Sequence, residues 1–335
     1  MELDLRLAAC PSLAGTGRRV RSLYIGGGTP STLEPEQFRR LLDGLMSRLE
    51  MTSDVEITAE ANPESLDEAT AEAWLDAGVN RISLGVQSLD PAVLSWLGRA
   101  AGPTEIRRAL ALACSTFSRV SADWILAPGC RSDRLAAEFR EARDLGVGHV
   151  SFYILEWHEQ TGLALDRARG LVQPDDEASI AARYLAGRDD LMDLGYRFYE
   201  ISNYALPGQE SRHNKAYWSR RPYLGLGPGA HGQWGNRREA NHGSLDRWSQ
   251  DVGAGLVPTA TWERLTPAAR RLERLILGLR TREGTAIEEF ENLLPALASG
   301  IEEGLWTVTD DRLILTAAGC LRIDDIESWL ANHLG

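Results

Sequence analysis

A strand-like run, Ser22–Ile25, leads directly into Gly26-Gly27-Gly28-Thr29-Pro30. Consecutive glycines let a backbone approach a ligand closely and leave N–H groups free for a carboxylate or phosphate, and a helix opening soon after adds a favourable dipole. The same glycines would also serve a plain strand-to-helix turn, and their spacing is neither a Walker loop nor a dinucleotide fingerprint. Four further residues could do complementary chemistry. Glu60 ends the next strand-like run and can hold an ammonium or sugar hydroxyls, and Gln87 ends the one after it. Arg99 can grip a carboxylate through two N–H groups. Asp123 lies within another strand-like run, in Ala122-Asp123-Trp124. Each has a plainer alternative as a solvated strand-end acid or a surface ion pair; the convergence of polar groups on strand C-termini is what points to a site.

The elements that must position these residues read as repeated βα units. Strands are expected near Ser22–Gly26, Val55–Glu60, Arg81–Gln87, Arg119–Leu126, His149–Leu155 and Tyr196–Asn203, bounded by Gly, Pro, Asn or Asp. Between them, Phe38, Leu41, Leu42 and Leu45 repeat at helical spacing behind Pro35. Ser65–Glu68 reads as a capping box with Gly78 closing that helix. Asp90-Pro91 opens another, Ser132 opens one that stops at Gly146, and Asp175–Leu194 forms a longer one. The fold class is therefore α/β, a parallel sheet curled into a partial (β/α) barrel, with an open doubly wound sheet as the alternative. After about Thr259 the pattern changes to helices near 265–280 and 287–297, short strands at 306–309 and 312–316, and a helix at 323–334. This predicts a barrel over residues 1–258 and a small winged-helix-like domain over 259–335. Glu302, Glu303, Asp310 and Asp311 in that domain argue for packing or partner binding rather than DNA binding.

Bulk properties narrow the function classes. The 335 residues are 43% hydrophobic and 25% charged, enough for a sizeable core, and carry a net charge of −12, which disfavours nucleic-acid backbones. No apolar run approaches the ~20 residues of a membrane span, and Met1–Arg6 lack the pattern of a signal peptide, so a cytoplasmic protein is expected. Cys10, Cys114, Cys130 and Cys320 are mutually distant, with no local metal-ligand spacing, and read as isolated thiols.

Several segments in order carry a more specific likeness: Leu23–Thr32 (LYIGGGTPST), Glu60–Pro63 (EANP), Ile82–Gln87 (ISLGVQ), Leu97–Arg99 (LGR), Tyr199–Ala205 (YEISNYA), Ser211–Trp218 (SRHNKAYW) and Tyr223–His231 (YLGLGPGAH). Together they resemble the radical S-adenosylmethionine (SAM) coproporphyrinogen dehydrogenase and HemW group, and Ser211–Trp218 points to its HemW branch. The resemblance implies a radical-SAM partial barrel in which Gly27, Gly28 and Thr29 bind the methionine portion of SAM, with Glu60, Gln87, Arg99 and Asp123 around the cofactor. It implies heme handling by His213, Asn214, Tyr217 and Trp218: imidazole is a good iron ligand and aromatic rings pack on a porphyrin face. Read without the likeness, the same four residues could tie a loop and fill a core. The implied function is a heme chaperone passing heme to an acceptor protein, the alternatives being an oxygen-independent coproporphyrinogen III dehydrogenase or a cofactor-free relative.

The sequence departs from the group in three places. Its members hold a [4Fe–4S] cluster with C-x-x-x-C-x-x-C after a first strand, and these 335 residues contain no such run. Leu3–Ala9 reads as a helix that ought to follow a strand, so either an N-terminal truncation or a cluster-less relative is expected. Ala101 stands where the group often has histidine, and Asp123–Gly129 (DWILAPG) is one residue shorter than the group's stretch, which loosens the assignment of Asp123.

Overall fold

A computed structural model of the chain describes residues 1–9, 19–157, 165–167, 169–170 and 173–334. The chain forms two compact units. One comprises Ser22–Asp43 and Glu56–Glu210, the other Met1–Arg21, Gly44–Val55 and Ser211–Gly335.

A seven-stranded sheet organises the first unit: β1 (Val20–Ile25), β2 (Met51–Ala61), β3 (Arg81–Gln87), β4 (Arg119–Leu126), β5 (His149–Ile154), β6 (Arg197–Glu200) and β7 (Asn203–Ala205), in the order β1-β2-β3-β4-β5-β7-β6. Strands β2 to β5 pair in parallel with sequence neighbours side by side. A doubly wound sheet would reverse strand order at a switch point. None occurs among the described strands, so successive crossovers of the right-handed kind that such units almost always adopt place their helices on one face, as in a partial barrel.

Alternation along the strands decides which face is which. Ile57, Ala59 and Ala61 of β2, Ile82, Leu84 and Val86 of β3, and Ala122 and Trp124 of β4 are buried on the apolar side. The helices supply the covering rings. Phe38 stacks on Trp74 at 4.7 Å, and Trp124, Phe139 and Phe152 form an edge-to-face series with centroids 5.5 and 5.4 Å apart. The intervening residues form a polar face. Ser121 Oγ lies 2.7 Å from His149 Nδ1, and His149 Nε2 lies 2.8 Å from the Tyr199 hydroxyl. Burial holds His149 well below its ordinary pKa, so the imidazole is neutral. The buried Arg81 donates to the Gln209 carbonyl at 2.9 Å, and Arg119 donates to the buried Glu56 at 3.3 Å.

Three local expectations are corrected. The run expected at Tyr196–Asn203 is two short strands, β6 and β7, which turn at Ser202 with φ 72°; β7 pairs antiparallel to β5, and β6 pairs antiparallel to β7. Ser65 does not cap a helix: Asp67 does, accepting from Thr70 N at 2.8 Å, while Ser65 Oγ meets Ser31 Oγ at 2.6 Å. A division at 258/259 would cut a sheet, because β10 (Thr259–Arg264) pairs with β9 (Arg237–Asn241), which pairs with β8 (His231–Trp234).

In the second unit, the helix Glu2–Ala9 buries Glu2. Its carboxylate accepts from Arg6 Nε at 2.9 Å, Asn241 Nδ2 at 2.8 Å, Gly227 N at 2.8 Å and Trp248 Nε1 at 3.0 Å. Further on, the helices Pro267–Leu279 and Leu294–Glu302 accompany a three-stranded sheet of β11 (Thr285–Ala286), β12 (Trp306–Thr309) and β13 (Arg312–Leu315), followed by the helix Ile323–Leu334. Asp310 and Asp311, both with positive φ (50° and 57°), make the two-residue hairpin turn between β12 and β13, so these acids are turn formers.

Candidate functional site

Strand C-termini of the first unit frame a cleft of about 180 Å³ lined by Gly28, Thr29, Glu60, Ala61, Asn62, Ser83, Gly85, Gln87 and Asp123. The glycine loop is built for this place. Gly27 and Gly28 have φ of 77° and 144°, which side-chain-bearing residues rarely adopt. Gly26 has ordinary φ, but a Cβ there would lie 2.6–2.8 Å from the Glu60 carboxylate. The loop's shape thus makes room for Glu60, which accepts from the Tyr24 hydroxyl at 2.6 Å and from Gly27 N at 3.3 Å. Burial and the nearby Glu60 charge hold the Tyr24 phenol protonated well above its ordinary range.

Gln87 ends β3 in the left-handed region, φ 66°, and Ser88 N donates across it to Val86 O at 2.8 Å, a strained γ-turn. That turn folds the amide back over Gly85, where a Cβ would stand 2.9 Å from Gln87 Nε2 and 3.3 Å from Asn62 Oδ1. Arg99 reaches the same corner: its Nη2 donates to Asn62 Oδ1 at 3.2 Å and to Gly85 O at 3.3 Å. Asn62 in turn donates through Nδ2 to Thr29 Oγ1 at 3.2 Å. Asp123 closes the floor, with Ser83 Oγ donating at 3.4 and 3.5 Å. Burial pushes its carboxyl up to about 6, against hydrogen bonds from Ser151 and Ser83 that favour the ionised form.

Gly28, Thr29, Glu60, Gln87 and Asp123 therefore share one cleft, with Gly27 and Arg99 bonded to its walls. Sequence reasoning passed over Tyr24, Asn62, Ser83 and Gly85. Alternation held a signal for three of them: Tyr24 is two residues before Gly26, and Ser83 and Gly85 share the face of Gln87. Asn62 stood within the EANP segment.

The second unit holds the other expected group. Helix Arg212–Trp218 begins on Ser211, whose Oγ accepts from Asn214 N at 3.2 Å. His213 and Tyr217, one turn apart, meet with Nε2 2.9 Å from the phenol oxygen and ring centroids 4.7 Å apart. Tyr217 packs edge-on against Tyr223 at 4.6 Å and remains 37% exposed. Burial, with Tyr223 beside it, pushes the Tyr217 hydroxyl up to about 12. Trp218 turns its ring toward Arg280, 5.8 Å from the guanidinium, and its indole N–H is buried with no hydrogen-bond partner among the described residues.

The Radical SAM superfamily model matches residues 12–130. Heme chaperone HemW of Mycobacterium tuberculosis (strain ATCC 25618 / H37Rv) is 35% identical over 330 residues, covering 97% of this chain and 84% of the relative. The chain belongs to the HemW family of radical SAM proteins. Another member, heme chaperone HemW of Lactococcus lactis, is 34% identical over 276 residues, covering 82% of this chain and 72% of its own. The HemW-family chain also shares its fold with the solved structure of coproporphyrinogen III oxidase (HemN) from Escherichia coli, a radical SAM enzyme: TM-score 0.81, 21% identity, covering 99% of this chain and 82% of that one.

Radical SAM membership implies SAM and a [4Fe–4S] cluster. The cleft's donor set fits SAM: a guanidinium with no acid partner among the described residues for a carboxylate, an acid for an ammonium, an amide and acid for ribose hydroxyls. The cluster finds no such fit among the described residues, where no group of three His, Cys, Asp or Glu could hold a metal. Cys114, Cys130 and Cys320 stand on separate elements, and Cys10 lies outside the described residues. Burial pushes the Cys114 thiol up to about 11, the opposite of a ligand thiolate. Among the described residues, no helix is long and apolar enough to cross a membrane.

Proposed function

We propose that this chain is a heme chaperone that binds heme at the helix Arg212–Trp218 and passes it to an acceptor protein, and that its half-barrel cleft binds SAM. The observation that carries the reading is the meeting of His213 with Tyr217, itself packed on Tyr223: an imidazole beside an exposed aromatic edge can offer a nitrogen to heme iron and a ring to the macrocycle. Asn214 and Trp218 belong to the same helix and complete the proposed site. The sheet of β11, β12 and β13 with its helices is read as a packing or partner-binding module.

In the cleft, Arg99 would take the SAM carboxylate, Glu60 and the Gly27–Thr29 loop the ammonium, and Gln87 and Asp123 the ribose. When bound, SAM supplies a sulfonium-activated methyl or adenosyl group. These 335 residues hold no C-x-x-x-C-x-x-C run, so we expect SAM to bind weakly here, without the metal that anchors it elsewhere in the superfamily. The test is titration with hemin: a saturable Soret shift that weakens in His213→Ala is expected, and no saturable shift, or one indifferent to His213→Ala, ends the reading.

The shared fold with HemN favours a second reading, oxidative decarboxylation of coproporphyrinogen through a SAM-derived radical. That chemistry needs an electron delivered to SAM. We expect the chain as given to release no 5′-deoxyadenosine under reducing conditions, and its appearance would favour the enzyme over the chaperone.

A further inference from the structure

Arg99 is held in an unusual way. Its Nη2 touches two acceptors, Asn62 Oδ1 at 3.2 Å and the Gly85 carbonyl at 3.3 Å, and both are neutral. Among the described residues, no carboxylate lies within ion-pair distance of this guanidinium. Elsewhere in the same unit arginines do find acids, as Arg119 finds Glu56 and Arg183 finds Asp175. At Arg99 the positive charge is oriented but not cancelled.

Asn62 is what makes this possible. Arginine only donates, so the oxygen of the Asn62 amide must face Arg99 and its NH₂ must face the other way, where it donates to Thr29 Oγ1 at 3.2 Å. One side chain thereby ties the glycine loop to Arg99 and fixes both. The space for this junction exists because residue 85 has no side chain: a Cβ there would lie 3.3 Å from Asn62 Oδ1 and 3.6 Å from Arg99 Nη2. An aspartate in place of Asn62 would have nearly the same shape. It would pair with Arg99, cancel its charge and lose the donor to Thr29.

We propose that Asn62 is a positioning residue that sets the charge selectivity of the cleft, aiming Arg99 at a ligand carboxylate while leaving its charge available. The proposal rests on the reading of the cleft as a site for SAM. The decisive comparison uses two ligands that share the sulfonium, ammonium and nucleoside and differ in one group: SAM and decarboxylated SAM. The full chain is titrated with each by calorimetry, as wild type and as Asn62→Asp. Wild type should favour SAM, and Asn62→Asp should lower that preference about tenfold, the order of one lost charge-assisted pair. Decarboxylated SAM serves as the reference for any general change in the cleft caused by Asn62→Asp, because it has no carboxylate for Arg99 to take. A preference unchanged by Asn62→Asp overturns the proposal.

A second measurement needs no ligand. The carboxyl introduced by Asn62→Asp, followed by ¹³C NMR, should titrate well below the ordinary Asp range, and the depression should vanish when Arg99→Gln is added. An ordinary titration overturns the proposal even in a protein that binds neither nucleoside. Wild type binding neither ligand counts against the reading of the cleft instead, which separates the two failures.

Discussion

Tyr24 and Glu60 face each other across neighbouring strands, the phenol donating a 2.6 Å hydrogen bond to the carboxylate while Gly27 N reaches the other oxygen. The acid is thus pinned at both oxygens to the strand and loop that frame the cleft, an arrangement that fixes its direction before a ligand arrives. Removing the phenol in Tyr24→Phe keeps the ring and frees the acid. The expected result is a roughly tenfold weaker Kd for SAM by calorimetry, the size of one hydrogen bond to a charged group. Glu60→Gln on the Tyr24→Phe background should cost less than it does alone, because the two residues act as a pair.

Gly26→Ala should separate folding from binding. The backbone there tolerates alanine, but its Cβ would occupy the space of the Glu60 carboxylate. We expect SAM binding to fall at least as far as in Tyr24→Phe, with a change in Tm of only a few degrees by differential scanning calorimetry.

Asp123 gives the first unit a pH signature. Its carboxyl titrates near 6 in the folded chain against an ordinary value of 3.8. A raised acid pKa means that the folded state holds the proton longer than the unfolded one. Stability contributed by this group is therefore full below about pH 4 and is lost as pH climbs toward 6, by at most roughly 3 kcal/mol. Asp123→Asn should flatten that stretch of the urea-stability profile. A profile identical to wild type between pH 4 and 7 would contradict the assignment.

The buried polar cluster behind β4 makes a purely structural prediction. Trp124 Nε1 donates to Glu138 Oε2 at 2.9 Å, and Ser88 Oγ donates to the same carboxylate at 3.1 and 3.3 Å. Burial raises the Glu138 pKa. Trp124→Phe removes one of these donors and opens space beside Phe139, and should destabilise the chain by about 2–4 kcal/mol in chemical denaturation.

At the proposed heme site, Tyr217 competes for the ligand atom, because its hydroxyl engages the His213 Nε2 that iron would take. Tyr217→Phe should then keep the Soret position and tighten hemin binding severalfold, whereas His213→Ala should shift the Soret band and weaken binding. Absorbance titration distinguishes the two.

Much of this was legible in the sequence because it is local. The run Arg119–Leu126 alternates apolar and polar residues, and β4 has those bounds in the structure; β3 likewise spans Arg81–Gln87. Glycine after a strand marked the loop. The parts that were hidden depend on long-range geometry. Nothing in YEISNYA separates one strand from two that double back; what separates them is the left-handed turn at Ser202 and pairing with β5 across about fifty residues of chain. Ser65 looked like a cap because Glu68 follows it, but Pro63 and Ser31 claim that stretch for a 3₁₀ turn against the glycine loop. Asn62 and Tyr24 were invisible as site residues because their importance lies in what they hold, Arg99 and Glu60, and those partners come from other strands.

The reversal of β7 has a consequence for how this architecture tolerates change. Parallel strands β2 to β5 all point at the cleft, whereas β7 runs the other way, its last residue Ala205 opposite the first residue of β5, His149. The chain therefore departs from the sheet at the pole remote from the cleft. Insertions or deletions in the connection 206–210 would leave the cleft lining in place but break the anchor of buried Arg81 on the Gln209 carbonyl, so their cost would fall on stability before it fell on the cleft.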